Sequence, residues 1–358
     1  MRWRHMLALL ALGISCAGPA AGPDPDYPPV MPGVEFRFPR DHGAHPAYRT
    51  EWWYFTGWLQ GADGKPLGFQ ITFFRSRPSA DPSNPSAFAP RQILFAHAAL
   101  SDPVKARLIH DRRIARAGFG LATAAEGDAR IRLLDWRLDR RADGIFRAHV
   151  PARDFALDLA FAPTQPVMVN GDRGYSRKGP RPEQASYYYS MPQLAVTGTV
   201  VKDGKPIAVK GRAWLDREWS STLLPPNAAG WDWTGINFDD GAALMAFQVR
   251  GRDGHPIHAG GTMRRPDGSQ IVLAPADVRF VPRRRWRSPQ TGAVYPVEAD
   301  FIVRLPEGVR RVRLKPLFDA QELDGRAGAM PVYWEGLVST QSGRGYLELT
   351  GYAGALRF

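Results

Sequence analysis

The sequence predicts an all-β protein made of two copies of one β-barrel-like unit. Short segments that alternate apolar and polar residues recur along the chain, and no long segment shows helical periodicity. The pattern Thr56-Gly57 returns 178 residues later as Thr234-Gly235, which indicates an internal repeat. Asp-Gly pairs, which favour hairpin turns because they accept a positive φ, occur at 63–64, 143–144, 203–204, 240–241, 253–254 and 267–268.

The length and composition support two domains behind an N-terminal leader. With 358 residues, of which 44% are hydrophobic, the chain can build two cores of ordinary size. We predict a signal peptide over residues 1–22 and a tether rich in Pro, Gly and Asp over 23–33. The two predicted domains span 34–215 and 216–358.

The first residues have the pattern of a secretory signal. A basic stretch at 1–5 precedes an apolar run at 6–14, which is too short to span a bilayer. Cys16, the single cysteine, follows in Gly13-Ile-Ser-Cys16, which resembles a bacterial lipobox. We therefore expect an exported protein, periplasmic or an outer-membrane lipoprotein, that meets the membrane only through a lipid on Cys16. Plain cleavage a few residues later is the alternative.

The chain is strongly basic. Its formal net charge is +12, and the densest arginine runs lie at 283–285 and 310–315. Such runs fit either a solvated sheet face or attraction to anionic lipid or polysaccharide. Nucleic acid is not expected as a partner, because the chain has neither a zinc-finger nor an RNP-type motif and is expected to be exported.

Residues 50–59, Thr-Glu-Trp-Trp-Tyr-Phe-Thr-Gly-Trp-Leu, form the most aromatic stretch of the chain. Alternation places Glu51 and Trp53 on one face of a strand and Trp52 and Tyr54 on the other. Both faces are thus apolar, which suits a strand that lines a barrel on one side and packs against another layer on the other. An aromatic surrounding would raise the pKa of Glu51, and the alternative is an aromatic core with a surface glutamate.

This stretch and four others are similar to segments of one family. The family contains the carotenoid 1,2-hydratases (hydroxyneurosporene synthases) and the AttH-type secreted lipocalin-like proteins. The resemblance implies tandem lipocalin-like domains, and either a hydro-lyase or a non-catalytic carrier that works beside an ABC transporter permease. The four further segments are Phe-Pro-Arg-Asp-His-Gly-Ala-His at 38–45, Ser-Tyr-Tyr-Tyr-Ser at 186–190, Trp-Leu-Asp-Arg-Glu-Trp-Ser-Ser at 214–221 and Gly-Trp-Asp-Trp at 230–233.

A pair of carboxylates lies in the segment 214–221. Alternation puts Asp216 and Glu218 on one strand face, where like charges raise each other's pKa if the face is occluded. An ion-paired cluster with Arg217 is the alternative. In the similar hydratases this segment carries a histidine and a tryptophan implicated in catalysis. Trp219 matches the tryptophan, whereas Arg217 stands at the histidine position and cannot act as an acid or base near neutral pH.

Hydration of an isolated olefin needs a protonated carboxylic acid, aromatic faces that stabilise a cation, and an apolar cavity. The same composition suits passive binding of a hydrophobic small molecule, such as an isoprenoid or a lipid. The predicted catalytic residues are Glu51, His97, Asp216 and Glu218, with a core role as the alternative for His97. The predicted ligand-binding residues are Trp52, Trp53, Tyr54, Tyr188, Trp219, Trp231 and Trp233.

No cofactor and no metal are expected. The chain carries neither a glycine-rich phosphate loop nor a His-Glu-x-x-His motif. Two histidine pairs, His42 with His45 and His255 with His258, have metal-ligand spacing but no evident third ligand.

Replacement of Cys16 tests the predicted anchor. We expect Cys16→Ser to move the protein from the membrane fraction to the soluble periplasmic fraction, because stable anchoring takes at least two acyl chains and the lipidated cysteine would carry them. Fractionation followed by immunoblotting measures this. Identical soluble behaviour of wild type and variant would contradict the lipoprotein prediction.

Overall fold

The computed structural model describes residues 27–79, 84–326 and 331–356. Strands make up 61% of the described residues and helix 2%, which confirms the all-β prediction. The predicted signal peptide with Cys16 and the start of the tether lie outside the described residues.

Two short 3-10 helices span Arg40–His42 and Pro275–Asp277. The strands are β1 (Thr50–Gln60), β2 (Pro66–Ser76), β3 (Ile93–Asp102), β4 (Arg107–Arg116), β5 (Ala122–Ala124), β6 (Arg130–Leu133), β7 (Trp136–Arg140), β8 (Phe146–Pro151), β9 (Phe155–Ala162), β10 (Met168–Val169), β11 (Tyr175–Arg177), β12 (Ala185–Lys202), β13 (Lys205–Thr222), β14 (Ala228–Phe238), β15 (Ala243–Gly251), β16 (Pro256–Arg264), β17 (Gln270–Leu273), β18 (Val278–Arg287), β19 (Val294–Leu305), β20 (Gly308–Pro316), β21 (Glu322–Asp324), β22 (Val332–Thr340) and β23 (Gly343–Thr350).

Sheet A is a strongly curved antiparallel sheet. Its strands follow the order β4-β3-β2-β1-β13-β12-β9-β8-β7-β6-β5, and β10 and β11 also pair with β12. Strands β3 and β4 at one end contact β5 and β6 at the other, so the sheet forms a nearly closed barrel. Its interior is filled by large apolar side chains such as Phe55, Phe69, Trp136 and Phe161.

Sheet B repeats the plan of sheet A. Its order is β17-β16-β15-β14-β23-β22-β20-β19-β18, and β21 pairs with β22. The first six strands correspond one by one to β4-β3-β2-β1-β13-β12, and two tandem lipocalin-like barrel domains are therefore confirmed. The predicted division between residues 215 and 216 falls inside β13, which pairs within sheet A along its length, and it stays a prediction.

The repeat in the sequence differs from the repeat in the structure by an odd number of residues, because residues 178 positions apart face opposite sides of their strands. Phe69 lies inside the sheet A barrel, whereas Phe247, found 178 residues later, lies outside the core of sheet B. Neighbouring strand residues face opposite sides, so a slip by an odd number of residues exchanges the faces. Each barrel nevertheless encloses an acid–arginine pair between its first two strands, Glu51 with Arg75 and Asp232 with Arg250.

The Asp-Gly pairs form the predicted turns. Each of the six joins two consecutive strands, with the glycine at a φ between 73° and 89°. The alternating segment at 131–138, which the pattern predicts as one strand, is divided into β6 and β7. Leu134 has a φ of 55° there and forms part of a tight turn.

Strand β1 has two buried faces, as its pattern predicts. Trp53 and Phe55 lie in the sheet A barrel. Tyr54 instead packs with Trp214 and Trp233 in an apolar cluster between the sheets. Since β1 contacts β23 and β2 contacts β22, the outer faces of the two barrels pack against each other.

Glu51 is fully buried inside the sheet A barrel. It accepts hydrogen bonds from the guanidinium groups of Arg75 and Arg217, and from the backbone N–H of His45 at 3.0 and 3.1 Å. Burial alone would raise the pKa of Glu51. The charges of Arg217 and Arg75 and the hydrogen bonding of His45 outweigh burial, so the pKa lies well below its usual range. The ionised carboxylate thus ties β1, β2, β13 and the segment before β1 together.

Removing this charge should destabilise the protein. We expect Glu51→Gln to lower the free energy of unfolding by about 3–5 kcal/mol, because two buried arginines lose their counter-charge. The folded-state pKa is below the unfolded value, so the stability from Glu51 is present above about pH 4 and is lost as the pH falls. Urea unfolding at several pH values measures both effects.

Glu183→Gln is the matched control, because Glu183 forms an exposed ion pair with Arg181 at 3.1 Å. Its effect should stay below about 1 kcal/mol. Equal effects of the two substitutions would contradict the structural role of Glu51.

Candidate functional site

A cavity of about 770 Å³ lies between the two barrels. Outward-facing residues of β1, β2, β3 and β13 form one wall, and those of β14, β15, β22 and β23 form the other. Most of the lining is apolar or aromatic. Eight acidic or basic side chains interrupt it, namely Arg49, His97, Lys178, Asp216, Glu218, Arg326, Glu335 and Glu348.

Asp216 on the sheet A wall is held by three donors. Tyr188 and Ser190 each donate a hydroxyl hydrogen bond of 2.5 Å, and Trp214 donates through Nε1 at 2.6 Å. Burial raises the pKa of Asp216 to about 7, and the nearby charge of Glu218 adds to this while the three hydrogen bonds oppose it. Asp216 is therefore fixed in position and titrates near neutral pH.

Glu218, two residues further along β13, is ion-paired. Lys178 Nζ lies 3.0 Å from its carboxylate, and Ser186 also donates to it. The same ammonium group sits over two aromatic rings, 4.5 Å from the centre of Tyr188 and 4.4 Å from that of Phe247. The cavity therefore holds a fixed cation against an aromatic wall.

Glu335 and Glu348 oppose each other on β22 and β23. Glu335 is fully buried, and its polar neighbours are the side chains of Tyr54 and Gln70. Burial and the charge of Glu348 raise the pKa of Glu335 well above its usual value. Burial also raises the pKa of Glu348, against a hydrogen bond from Trp231. The pair therefore retains a proton at neutral pH.

His97 is a neutral group in the cavity wall. The hydroxyl of Tyr333, which comes from the opposite barrel, lies 2.6 Å from its Nε2. Burial and the nearby His110 lower the pKa of His97 to about 3. An imidazole with that pKa can accept or donate a hydrogen bond but is not a proton donor at neutral pH.

The structure divides the predicted site residues between the cavity and the interior of the sheet A barrel. Trp52, Tyr54, Tyr188, Trp231 and Trp233 line the cavity together with His97, Asp216 and Glu218.

Three predicted site residues do not line the cavity. Glu51, Trp53 and Trp219 lie on the interior face of the sheet A barrel, because the period of two sends them to the side opposite Trp52 and Glu218. There His45 stacks on Trp219, with ring centres 3.8 Å apart, and the guanidinium of Arg217 lies 3.9 Å from the centre of the Trp53 ring. These residues build a core around an ion cluster.

The sequence patterns missed the acid pair and its neighbours. Glu335, Glu348, Tyr333 and Lys178 belong to no motif. A usable signal was present in β22, where Glu335 is the single charged residue between Val332 and Val338.

No metal site or membrane-spanning helix is found in the described part of the chain. There, no three His, Cys, Asp or Glu side chains gather as a set of metal ligands. Residues 27–79, 84–326 and 331–356 also contain no helix that is long and apolar enough to cross a membrane.

The comparisons with known proteins agree with this architecture. The sequence profile of the AttH-like family matches residues 29–352. The chain belongs to the AttH-like family. A crystal structure of a Nitrosomonas europaea protein assigned as AttH is 51% identical, covers 91% of this chain and 99% of its own, and superimposes with a TM-score of 0.84.

A second, more distant solved structure shares the fold. Kievitone hydratase from Nectria haematococca is 14% identical to this AttH-like chain, covers 92% of it and 97% of its own length, and superimposes with a TM-score of 0.65. A search of curated protein sequences gives no match.

Glu335→Gln should make the protein more stable in mild alkali. In the folded protein Glu335 keeps a proton that it releases in the unfolded chain above about pH 4. The free energy of unfolding of the wild type therefore falls with rising pH, by up to about 1.4 kcal/mol per pH unit. The amide cannot release a proton, so it reduces this slope. We expect the variant to exceed wild type by about 2 kcal/mol at pH 8 in urea unfolding.

Glu307→Gln is the control, because Glu307 is exposed and pairs with Arg265 at 2.7 Å. It should leave the slope of stability against pH unchanged. Parallel pH profiles of wild type and Glu335→Gln would contradict a protonated Glu335.

Proposed function

We propose that this protein binds a hydrophobic small molecule of isoprenoid or lipid type between its two barrels and adds water across a carbon–carbon double bond. The observation that carries the proposal is Glu335, a buried carboxylic acid in an aromatic cavity, whose pKa stays raised although Tyr54 and Gln70 interact with its carboxyl group. An acid in this state keeps its proton at neutral pH and can give it to a bound ligand.

The surroundings of the acid suit the intermediate of such a reaction. Protonation of an olefin carbon leaves a carbocation on the neighbouring carbon. The faces of Trp231, Trp233 and Phe247 line the same cavity and can stabilise a cation. A mostly apolar lining also keeps bulk water away from the cation until a bound water reacts.

The proposed step balances without a cofactor. The proton of Glu335 bonds to one olefin carbon, and the oxygen of one water molecule bonds to the other. The proton that this water then loses returns to the ionised Glu335–Glu348 pair, which restores the starting state. Asp216, with a pKa of about 7, is a second acceptor for this proton on the facing wall.

The family relationship supports this proposal at the level of architecture. Kievitone hydratase is a hydratase by name and has the same fold, although at 14% identity the likeness carries no residue roles. The N-terminal signal pattern supports export, so the reaction is proposed for the periplasmic side. A carrier that hands its ligand to an ABC transporter permease would use the same cavity without turnover.

The test combines binding with product analysis. Quenching of tryptophan fluorescence by an acyclic isoprenoid olefin measures binding, and mass spectrometry in ¹⁸O-labelled water measures hydration. We expect wild type to bind and to form an alcohol that contains one labelled oxygen. Glu335→Gln should bind within about twofold of wild type but lose turnover by at least about a hundredfold, as expected for a lost general acid.

Two controls make the outcome specific. Glu307→Gln should bind and react like wild type. Trp52→Phe should reduce the quenching more than Trp286→Phe, because Trp52 lines the cavity and Trp286 is a half-buried residue that packs against the core of sheet B. Binding without any product in wild type would favour the carrier, and no binding at all would overturn the proposal.

A further inference from the structure

An exposed group of apolar side chains lies on the first domain around the end of β4. Phe88, Phe119 and Ile114 are 75%, 61% and 55% exposed, which is high for residues of their size. The rings of Phe88 and Phe119 stack on each other with centres 5.6 Å apart, although both are open to solvent. Contiguous exposed apolar groups of this kind mark interaction surfaces.

This group is continuous with the mouth of the cavity. Ile114 is exposed and also lines the cavity, so it lies at the opening. Arg116 follows two residues later on the same face of β4, and its guanidinium sits 4.6 Å over the ring of Phe119. Arg116 also donates a 2.8 Å hydrogen bond to the carbonyl of Ala87, next to Phe88. We call Phe88, Arg91, Ile114, Arg116 and Phe119 the mouth surface.

The backbone holds Phe119 outward at a conformational cost. Its φ is 54°, which is unusual for a bulky aromatic residue. Hydrogen bonds from Gly118 to the carbonyl of Ala122 and from Leu121 to the carbonyl of Gly118 fix this turn, at 3.2 and 3.0 Å. Backbone strain of this kind is typical of functional positions, and a partner that covers the exposed ring would give Phe119 such a function.

We propose that the mouth surface docks on an anionic lipid bilayer, so that the cavity opens toward the membrane. Aromatic rings flanked by arginines suit the boundary between acyl chains and anionic headgroups. Arg91 and Arg116 line one shallow depression beside the loop that carries Phe88. A soluble polyanion would use the arginines but would leave the rings exposed. The docking itself is independent of the proposed function, whereas the entry of an apolar ligand from the bilayer rests on it.

Vesicle flotation tests the docking without any ligand. The protein is the full chain with Cys16→Ser, which removes the lipid anchor in every sample. Vesicles contain phosphatidylcholine alone or equal parts phosphatidylcholine and phosphatidylglycerol. The basic and apolar N-terminal residues are the same in every variant, so differences between variants exclude their contribution to binding. We expect clear preference for the anionic vesicles, and about tenfold weaker partition for Phe88→Ser with Phe119→Asn. Asn is chosen because it tolerates a positive φ.

Val309→Ser is the matched control, because Val309 is 67% exposed on β20 of the other barrel. It should leave partition within about twofold. Phe88→Ser alone, in an exposed loop, gives an intermediate loss and guards against misfolding of the double variant. Equal binding to neutral and anionic vesicles, or equal losses in the double variant and Val309→Ser, would overturn the proposal.

A second readout separates this proposal from the proposed function. In this readout the isoprenoid is delivered from cyclodextrin instead of vesicles. It should quench the tryptophan fluorescence of the double variant as strongly as that of the Cys16→Ser protein, because the cavity is unchanged. If the isoprenoid does not quench the fluorescence of the Cys16→Ser protein, the proposed ligand is wrong, whereas the proposal of vesicle docking is unaffected. If quenching is lost in a double variant that is still folded, the mouth surface takes part in binding the ligand, and the proposal that it serves only to dock on the bilayer is wrong.

Discussion

The alternation of side chains along β1 and β13 decides what each carboxylate of this protein can do. The two strands pair with Glu51 opposite Trp219 and Tyr54 opposite Asp216. Because neighbouring residues face opposite sides of a strand, the first pair lies inside a barrel and the second faces the cavity. Glu51 and Asp216 lie on neighbouring strands and therefore still have different environments.

This separation gives one type of side chain two opposite states. Glu51 and Glu335 are both fully buried, and burial alone favours the neutral acid for each. Glu51 accepts hydrogen bonds from two guanidinium groups and stays ionised, so it stabilises the barrel. Glu335 faces another acid across the ladder and stays protonated. The groups that surround each carboxyl group, and not its degree of burial, therefore decide whether it is ionised.

The fold could be predicted from the sequence because its signals are local. Asp-Gly turns and alternating strands depend on a few neighbouring residues, and the structure has both. The faces of β1 were also predictable, and the same rule already excluded Trp53 and Trp219 from a site shared with Trp52 and Glu218. Aromatic composition, which has no direction, had grouped them together.

The other wall of the site could not be predicted in this way. Glu335 and Glu348 meet Asp216 and His97 only because two barrels pack face to face, and that contact joins residues more than a hundred positions apart. No local pattern encodes such packing. A single acid inside an apolar strand was a weak sign of it, visible only when each strand is assumed to have two buried faces.

The joining of both barrels in one chain has a consequence for how the site can change over generations. Two identical subunits around a twofold axis would present every cavity residue twice, so a single substitution would alter both walls at once. Here the walls are encoded separately, and one carries His97 and Asp216 while the other carries Glu335 and Glu348. Loss of symmetry therefore lets one half keep its acid while the other half adapts to the shape of a new ligand.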